Sequence, residues 1–242
     1  MIGLKEAGWF QQWAYKLAIG VGMRQASLRE ERKPVPAGLA LAFWLARALV
    51  LNNVRRAIGV HRARILITGG AGYIGSVLTK TLLDRGVAVT VLDNLYRKGS
   101  ALNLPRLKKH GVKFIRGDVR NPEDIAKAGK IDFLIECSAE PSVLSGKDGD
   151  TDYLVQTNLH GAVNCAEYCR KNDAGMIFLS TSRVYPVQPL LDCEIRESVK
   201  RFDFAVKQKI PGLSEAGLTE KFPMEGWRSL YGATKLSAEI ML

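Results

Sequence analysis

Tyr231 and Lys235 stand four residues apart in the run Tyr231-Gly232-Ala233-Thr234-Lys235, so a helix would set both on one face. A free tyrosine titrates near roughly pH 10 and is a poor base at neutral pH. A neighbouring ammonium favours the phenolate and brings it into working range. Such a base suits hydride transfer from an alcohol, where the hydroxyl loses its proton as its carbon loses hydride. The same spacing also describes an exposed aromatic–lysine pair, so alone it decides nothing. Ahead of it lies Ser180-Thr181-Ser182-Arg183-Val184-Tyr185, at the end of an apolar run. A hydroxyl at the C-terminal end of a parallel strand faces the ligand crevice. Thr181 would there bond the reacting hydroxyl and pass its proton to Tyr231. The competing role is satisfaction of strand-end backbone groups.

A second constellation is made of glycines. Ile65-Leu66-Ile67-Thr68 leads into Gly69-Gly70-Ala71-Gly72-Tyr73-Ile74-Gly75, a GxxGxxG spacing between a strand and a helix. Gly69 suits the tight turn, Gly72 lets backbone approach a pyrophosphate, and Gly75 lets the helix pack on the sheet. Phosphates would then meet free N–H groups at the positive end of the helix. Asp93 follows at the end of the next strand. A carboxylate there accepts both ribose hydroxyls of NAD and repels the 2′-phosphate of NADP. Arg97 and Lys98, just beyond, are the residues that would hold that phosphate if the cofactor were NADP. Asp118, in Gly117-Asp118-Val119, is a candidate acceptor from the adenine amino group. A helix cap is the other role in that stretch, for which Asn121 before Pro122 is better suited.

These groups need a frame. Apolar, β-branched runs at Arg64–Thr68, Val87–Leu92, Val112–Ile115, Phe133–Glu136 and Met176–Ser180 alternate with helix-like stretches at Tyr73–Arg85, Pro122–Ala128 and Tyr153–Lys171. That order predicts an α/β fold with a doubly wound parallel sheet of Rossmann type. Pro186 to Ser229 holds four prolines and little periodicity, and is expected to be a long functional loop. A helix is expected over Tyr231–Leu242; a chain that stops inside an amphipathic helix reads as cut.

Composition narrows the classes. Of 242 residues 47% are hydrophobic and 24% charged, as in ordinary globular proteins. The net charge of +11 looks like a nucleic-acid signal until it is divided. Residues 1–62 carry ten Lys/Arg against three Asp/Glu, so the remainder is only mildly basic and no nucleic-acid partner is expected. Cys137, Cys165, Cys169 and Cys193 form no CxxC pair; they are expected to be reduced thiols of a cytoplasmic protein with no metal site. Residues 1–62 form a basic, partly apolar extension of unknown role, and 63–242 the dinucleotide-binding domain. The apolar stretch Pro36–Leu51 would span about 24 Å as a helix, short of a ~30 Å hydrocarbon core, so membrane association is not expected. A surface-lying helix, a partner-binding helix and a non-native extension all stay open.

Taken together, TGGAGYIG (68–75), LDN (92–94), GDVRN (117–121), ECSAEPSV (136–143), TNLHGAVN (157–164), STSRVYP (180–186) and YGATK (231–235) resemble the extended short-chain dehydrogenase/reductases, the NAD-dependent sugar-nucleotide epimerases and dehydratases. The resemblance covers residues 63–242. It implies that Thr181, Tyr231 and Lys235 are catalytic. It implies an NAD site lined by Gly69, Gly72, Tyr73, Ile74, Gly75, Asp93, Asn94, Asp118, Val119, Ser138, Ala139 and, more weakly, Asn158. It also implies a nucleotide-sugar substrate, allows a homodimer, and expects a sixth strand and a C-terminal sugar-nucleotide domain beyond this sequence. Within the family, SAEPSV, STSRVYP and the stretch Gly212–Lys235 look most like the branch that epimerises C2 of CDP-linked sugars. Glu136-Cys137-Ser138-Ala139 replaces the family's usual histidine and paired alanines. Ser182 and Arg183 stand where the dehydratases carry acids, which favours epimerisation over elimination. A UDP-sugar 4-epimerase or reductase, and a non-catalytic NAD-binding regulator or inactive fragment, are the alternatives.

Overall fold

The computed structural model describes residues 9–30, 33–51, 63–147 and 151–242. The chain divides into two compact units, Met1–Ala63 and Arg64–Leu242. In the first, helix α1 (Trp9–Glu30) packs against α2 (Ala37–Ala46), which continues as a π turn over Arg47–Leu51. The apolar stretch is thus helical, in keeping with the helical N-terminal extension expected of residues 1–62, although the sequence reading set no bounds for α1. Its apolar residues are spread around the helix rather than gathered in a stripe, so periodicity does not announce it. None of the α2 side chains is buried, and Leu41 and Trp44 are more than half exposed. Among the described residues, no helix is long and apolar enough to cross a membrane. Parts of the extension, residues 1–8, 31–32 and 52–62, lie outside the described residues.

The second unit is the expected parallel α/β sheet. Strands β1 (Arg64–Thr68), β2 (Ala88–Asp93), β3 (Lys113–Arg116), β4 (Phe133–Glu136) and β5 (Gly175–Phe178) are all parallel, in the order β3-β2-β1-β4-β5. The order reverses at β1, and the crevice between β1 and β4 opens at their C-terminal ends, where open α/β sheets bind ligands. Helices α3 (Tyr73–Leu83), α4 (Leu104–Lys109), α5 (Pro122–Ala126), α6 (Thr151–Val155) and α7 (Gly161–Asn172) make the crossovers, with a π turn, Gln156–His160, joining α6 to α7. That turn interrupts the single helix expected over Tyr153–Lys171.

Burial explains the near-continuous apolar strands. Leu66 and Ile67 are successive, both 0% exposed, and point to opposite faces. Leu66 joins Leu92, Leu134, Ile125 and Cys165 on one face. Ile67 joins Val91 and Ile135 on the other, with Leu78 and Leu82 of α3 against them. Each such side chain contributes about 1.5–3 kcal/mol of transfer free energy, so both faces of the central strands are apolar up to their C-terminal residues, Thr68 and Glu136. Strands β2 and β3 begin one residue later than expected, and β5 runs Gly175–Phe178 instead of Met176–Ser180.

The segment 186–229 is not structureless, contrary to expectation. It holds α8 (Val187–Leu191), an antiparallel pair β6 (Ile195–Glu197) and β7 (Phe202–Phe204), and a second pair β8 (Leu213–Ser214) and β9 (Gly217–Leu218). Strands of two or three residues are too short for alternation to show in sequence. The Arg228 guanidinium donates to the carbonyls of Val184 (2.8 Å) and Met224 (2.6 Å), tying the segment's end to the stretch after β5. Helix α9 (Leu230–Met241) follows, capped by Ser229 Oγ, which accepts from the Gly232 N–H.

The junction of β1 and α3 is the tightest point of the sheet. A Cβ on Gly75 would lie 2.3 Å from the Gly69 carbonyl oxygen and 2.7 Å from the Gly70 Cα. Both are backbone and cannot step aside cheaply. Gly75→Ala should therefore destabilise the fold by about 1–3 kcal/mol or more, read as a lowered thermal midpoint. Gly99→Ala, where a Cβ meets nothing within 4 Å, should stay near wild type. Equal midpoints for the two variants would contradict the packing described.

Candidate functional site

The turn after β1 is built by contact rather than by side-chain capping. Gly69 sits at φ +62°, and a Cβ there would lie 2.6 Å from the Cys137 carbonyl oxygen. Gly72 begins α3 with no side-chain cap, and its N–H donates to the Gly69 carbonyl (3.0 Å). The first-turn N–H groups of α3 have no intrahelical acceptors and point back toward this turn. Tyr73 and Ile74 are exposed in that first turn, at 86% and 56%, and Gly75 is buried beneath it. They stand outside the cleft wall.

A cleft opens beside the turn. Gly69 and Gly72 form one wall, and Asp93 and Asn94 the end of β2. Val119, Ser138 and Ala139 also line it. Asp93 is 7% exposed; its Oδ2 accepts from the Ala71 N–H (3.0 Å) and its Oδ1 from the Leu95 N–H (2.8 Å). Burial raises its pKa, and those N–H donors pull it back. Asp93 thus holds the glycine turn onto β2 while facing the cleft, a structural duty that the sequence does not reveal.

Asp118 is not part of the cleft lining. It accepts from Asn94 Nδ2 (2.9 Å) and pairs with Arg120 (2.9 Å), and the side-chain hydrogen bonds it accepts hold its pKa below the usual value despite partial burial. Nor is the capping alternative realised as expected. Asn121 occupies the N-cap of α5 without a side-chain cap bond, and Asp124 instead accepts from the Asp118 N–H (3.0 Å). Arg97, the candidate 2′-phosphate ligand, is drawn to Glu140 (2.9 Å). Asn158 is 1% exposed on the π turn; its amide accepts from the Glu140 N–H (2.8 Å) and donates to the Glu140 carbonyl (3.1 Å). It braces the loop after Ala139 rather than lining the cleft.

Sequence reasoning missed several residues here. Tyr96 and Tyr153 both line the cleft with ring centroids 4.7 Å apart, and Arg120 lies over the Tyr153 ring. Tyr96 follows β2, Arg120 follows β3 and Tyr153 sits in α6, so no spacing links them in sequence.

The reactive candidates gather at the ends of β4 and β5. Thr181 ends the stretch after β5, and its Oγ1 accepts from the Arg183 N–H (3.2 Å) as the cap of a 3₁₀ turn, Ser182–Val184. The first turn of α9 packs on that turn so closely that a Cβ on Gly232 would lie 2.1 Å from the Arg183 carbonyl oxygen. Tyr231, 8% exposed, is the residue immediately before this contact. Gly232 is a further residue that sequence spacing left unassigned. Lys235, one turn further, is 2% exposed; its Nζ lies 3.7 Å from Glu136 Oε2 and 3.8 Å from the centre of the Phe178 ring. Among the described residues no cluster of His, Cys, Asp or Glu could hold a metal ion.

Known proteins resemble this chain in sequence and in fold. A CDP-paratose 2-epimerase of Salmonella typhi is 32% identical over 129 residues, a match taking in 50% of this chain and 38% of that one. A UDP-glucose 4-epimerase of Yersinia enterocolitica is 38% identical over 128 residues, with the same shares of 50% and 38%. The chain thus spans well under half of these curated relatives. Among solved structures, a Thermus thermophilus UDP-glucose 4-epimerase in complex with NAD superposes with a TM-score of 0.52 at 30% identity, covering 74% of this chain and 49% of that one. The model of the NAD dependent epimerase/dehydratase family matches residues 65–242, well over half of the sequence, and the chain belongs to that family.

Proposed function

We propose that this chain carries the cofactor-binding part and the proton-transfer residues of an NAD-dependent epimerase acting on a nucleotide-activated sugar, with C2 of a CDP-linked hexose the favoured position. The observation that carries this reading is the packing of the Tyr231–Gly232 turn against the Thr181–Arg183 segment, at the sheet end that also holds the glycine turn. The residues fit a dinucleotide. A Cβ would fill the cradle at Gly69, and a carboxylate, Asp93, borders the cleft at the end of β2. The pairing of Arg97 with Glu140 supports NAD over NADP, because Arg97's charge is already engaged. Bound NAD would supply the hydride acceptor and then return the hydride to the sugar's other face.

The chain's own residues do the rest. Thr181 Oγ1 accepts from the Arg183 N–H, which leaves its hydroxyl hydrogen free for the sugar oxygen. Tyr231 takes the sugar hydroxyl's proton during oxidation and gives it back on reduction. Lys235, four residues on along the same helix, is the cation assigned to work with Tyr231 in this step. Elimination of water would need a further acid near Thr181, and the next residues are Ser182 and Arg183. The Salmonella relative supports C2 of a CDP-sugar, and the Yersinia relative supports a UDP-sugar 4-epimerase as the second reading.

Incubation of the purified protein with NAD and CDP- or UDP-linked hexoses, with epimer formation followed by chromatography, tests the proposal. Tyr231→Phe keeps the ring and removes the acid–base group; turnover should fall by about 10²–10⁴ with NAD affinity unchanged. Normal turnover in that variant would refute the mechanism. Gly232→Ala removes no reactive group, yet should also cut turnover by forcing α9 off the Thr181 segment, and undiminished turnover there would remove the observation on which the proposal stands.

A further inference from the structure

Glu136 is a carboxylate buried in a protein core. It is the last residue of β4, it is 1% exposed, and neither of its oxygens completes a well-formed hydrogen bond. Isolated ionised carboxylates are not tolerated in such places; they are paired or they take a proton. The partner here is Lys235, whose Nζ is 3.7 Å away and is closed in on another side by the Phe178 ring. A carboxylate and a ring face both favour a cation between them.

The surroundings add little other charge. Thr68 of β1 is 0% exposed and neutral. Cys137, next in the chain, has its thiol pushed up to about 12 by burial, and the Cys165 thiol of α7 is pushed well above its usual value, so both are neutral at ordinary pH. Glu239, one turn beyond Lys235 on α9, adds a weaker negative field. Burial pulls Lys235 down while Glu136 pushes it up. Burial raises Glu136 to about 7, against the pull of Lys235 and, after it, of the Ser138 N–H.

We propose that Glu136 is a positioning residue for the reaction: its carboxylate fixes the Lys235 ammonium at the C-terminal ends of β4 and β5 and keeps that lysine charged inside the site. The proposal rests on the reading of Tyr231 and Lys235 as the proton-transfer pair. It assigns a purpose to the residue that stands where the family usually has histidine. It also makes the site sensitive to acid. As pH falls through Glu136's titration the carboxylate is neutralised, and Lys235 is left a cation without its anchor. Removing the carboxylate permanently leaves Lys235 easier to deprotonate, so its charge is lost at lower pH.

Lysine labelled with an NMR isotope at Cε tests the coupling in the full chain, the Lys235 signal being identified by its loss in Lys235→Met. In the unmodified protein that signal should show a step near pH 7, where Glu136 titrates. Glu136→Gln should abolish the step and lower the Lys235 midpoint by about one unit or more. No step in the unmodified protein, which needs no variant to fold, overturns the proposal. So does an unmoved midpoint in folded Glu136→Gln. Turnover of CDP- or UDP-linked hexoses provides the second arm: Glu136→Gln should lower kcat about tenfold or more, change the acid limb of the pH–rate profile and leave KM and NAD affinity unchanged. An unchanged kcat overturns the positioning role even if the coupling is present. Failure of the underlying reading is distinguishable, because it appears as normal turnover in Tyr231→Phe while the NMR coupling persists.

Discussion

The site depends on a close backbone approach at one point in the sheet. Gly75 of α3 lies against the Gly69 carbonyl, and Gly69 lies against the Cys137 carbonyl beyond β4. No side chain fits at either place. The approach fixes the start of α3 over the end of β1 and brings the loop after β4 into contact with the same turn. The cleft is what remains between these three pieces, so its walls are inherited from the packing of the sheet. The buried pairs Leu66–Leu134 and Ile67–Ile135, on opposite faces, hold β1 and β4 in the register this requires.

Two strands end in carboxylates with opposite fates. Asp93 at the end of β2 accepts from backbone N–H donors, which offset part of the rise that burial causes and let it serve the turn and the cleft together. Glu136 at the end of β4 lacks well-formed bonds of that kind and depends on a lysine from a helix far later in the chain. Local hydrogen bonding stabilises the first, and a long-range ion pair the second. The first is therefore settled by the sheet alone, whereas the second requires α9 to be docked.

The contrast tracks what could be seen in the sequence. The parallel sheet was legible because each strand is a short apolar run, whereas its strand order and the crossover helix α4 were not. The glycine turn and Asp93 were legible because their spacing is local. Asn158 and Asp118, expected to line the NAD site, stand outside the cleft lining: Asn158 braces Glu140 and Asp118 binds Asn94 and Arg120, through contacts made only after folding. The hairpins after Pro186 escaped notice because strands of two or three residues carry no period. Glu136 stood out as a departure from a pattern, and its pairing with Lys235 emerges only when β4 and α9 meet.

The central claim is that the cleft between the glycine turn and Asp93 is a site for NAD. Calorimetric titration of NAD and of NADP into the purified chain tests it most directly, because neither measurement needs a sugar substrate. The account predicts saturable binding of NAD and weaker binding of NADP, since the Asp93 carboxylate repels a 2′-phosphate and Arg97 is engaged by Glu140. NADP binding as tight as NAD or tighter, or no binding of either by the folded protein, would contradict it.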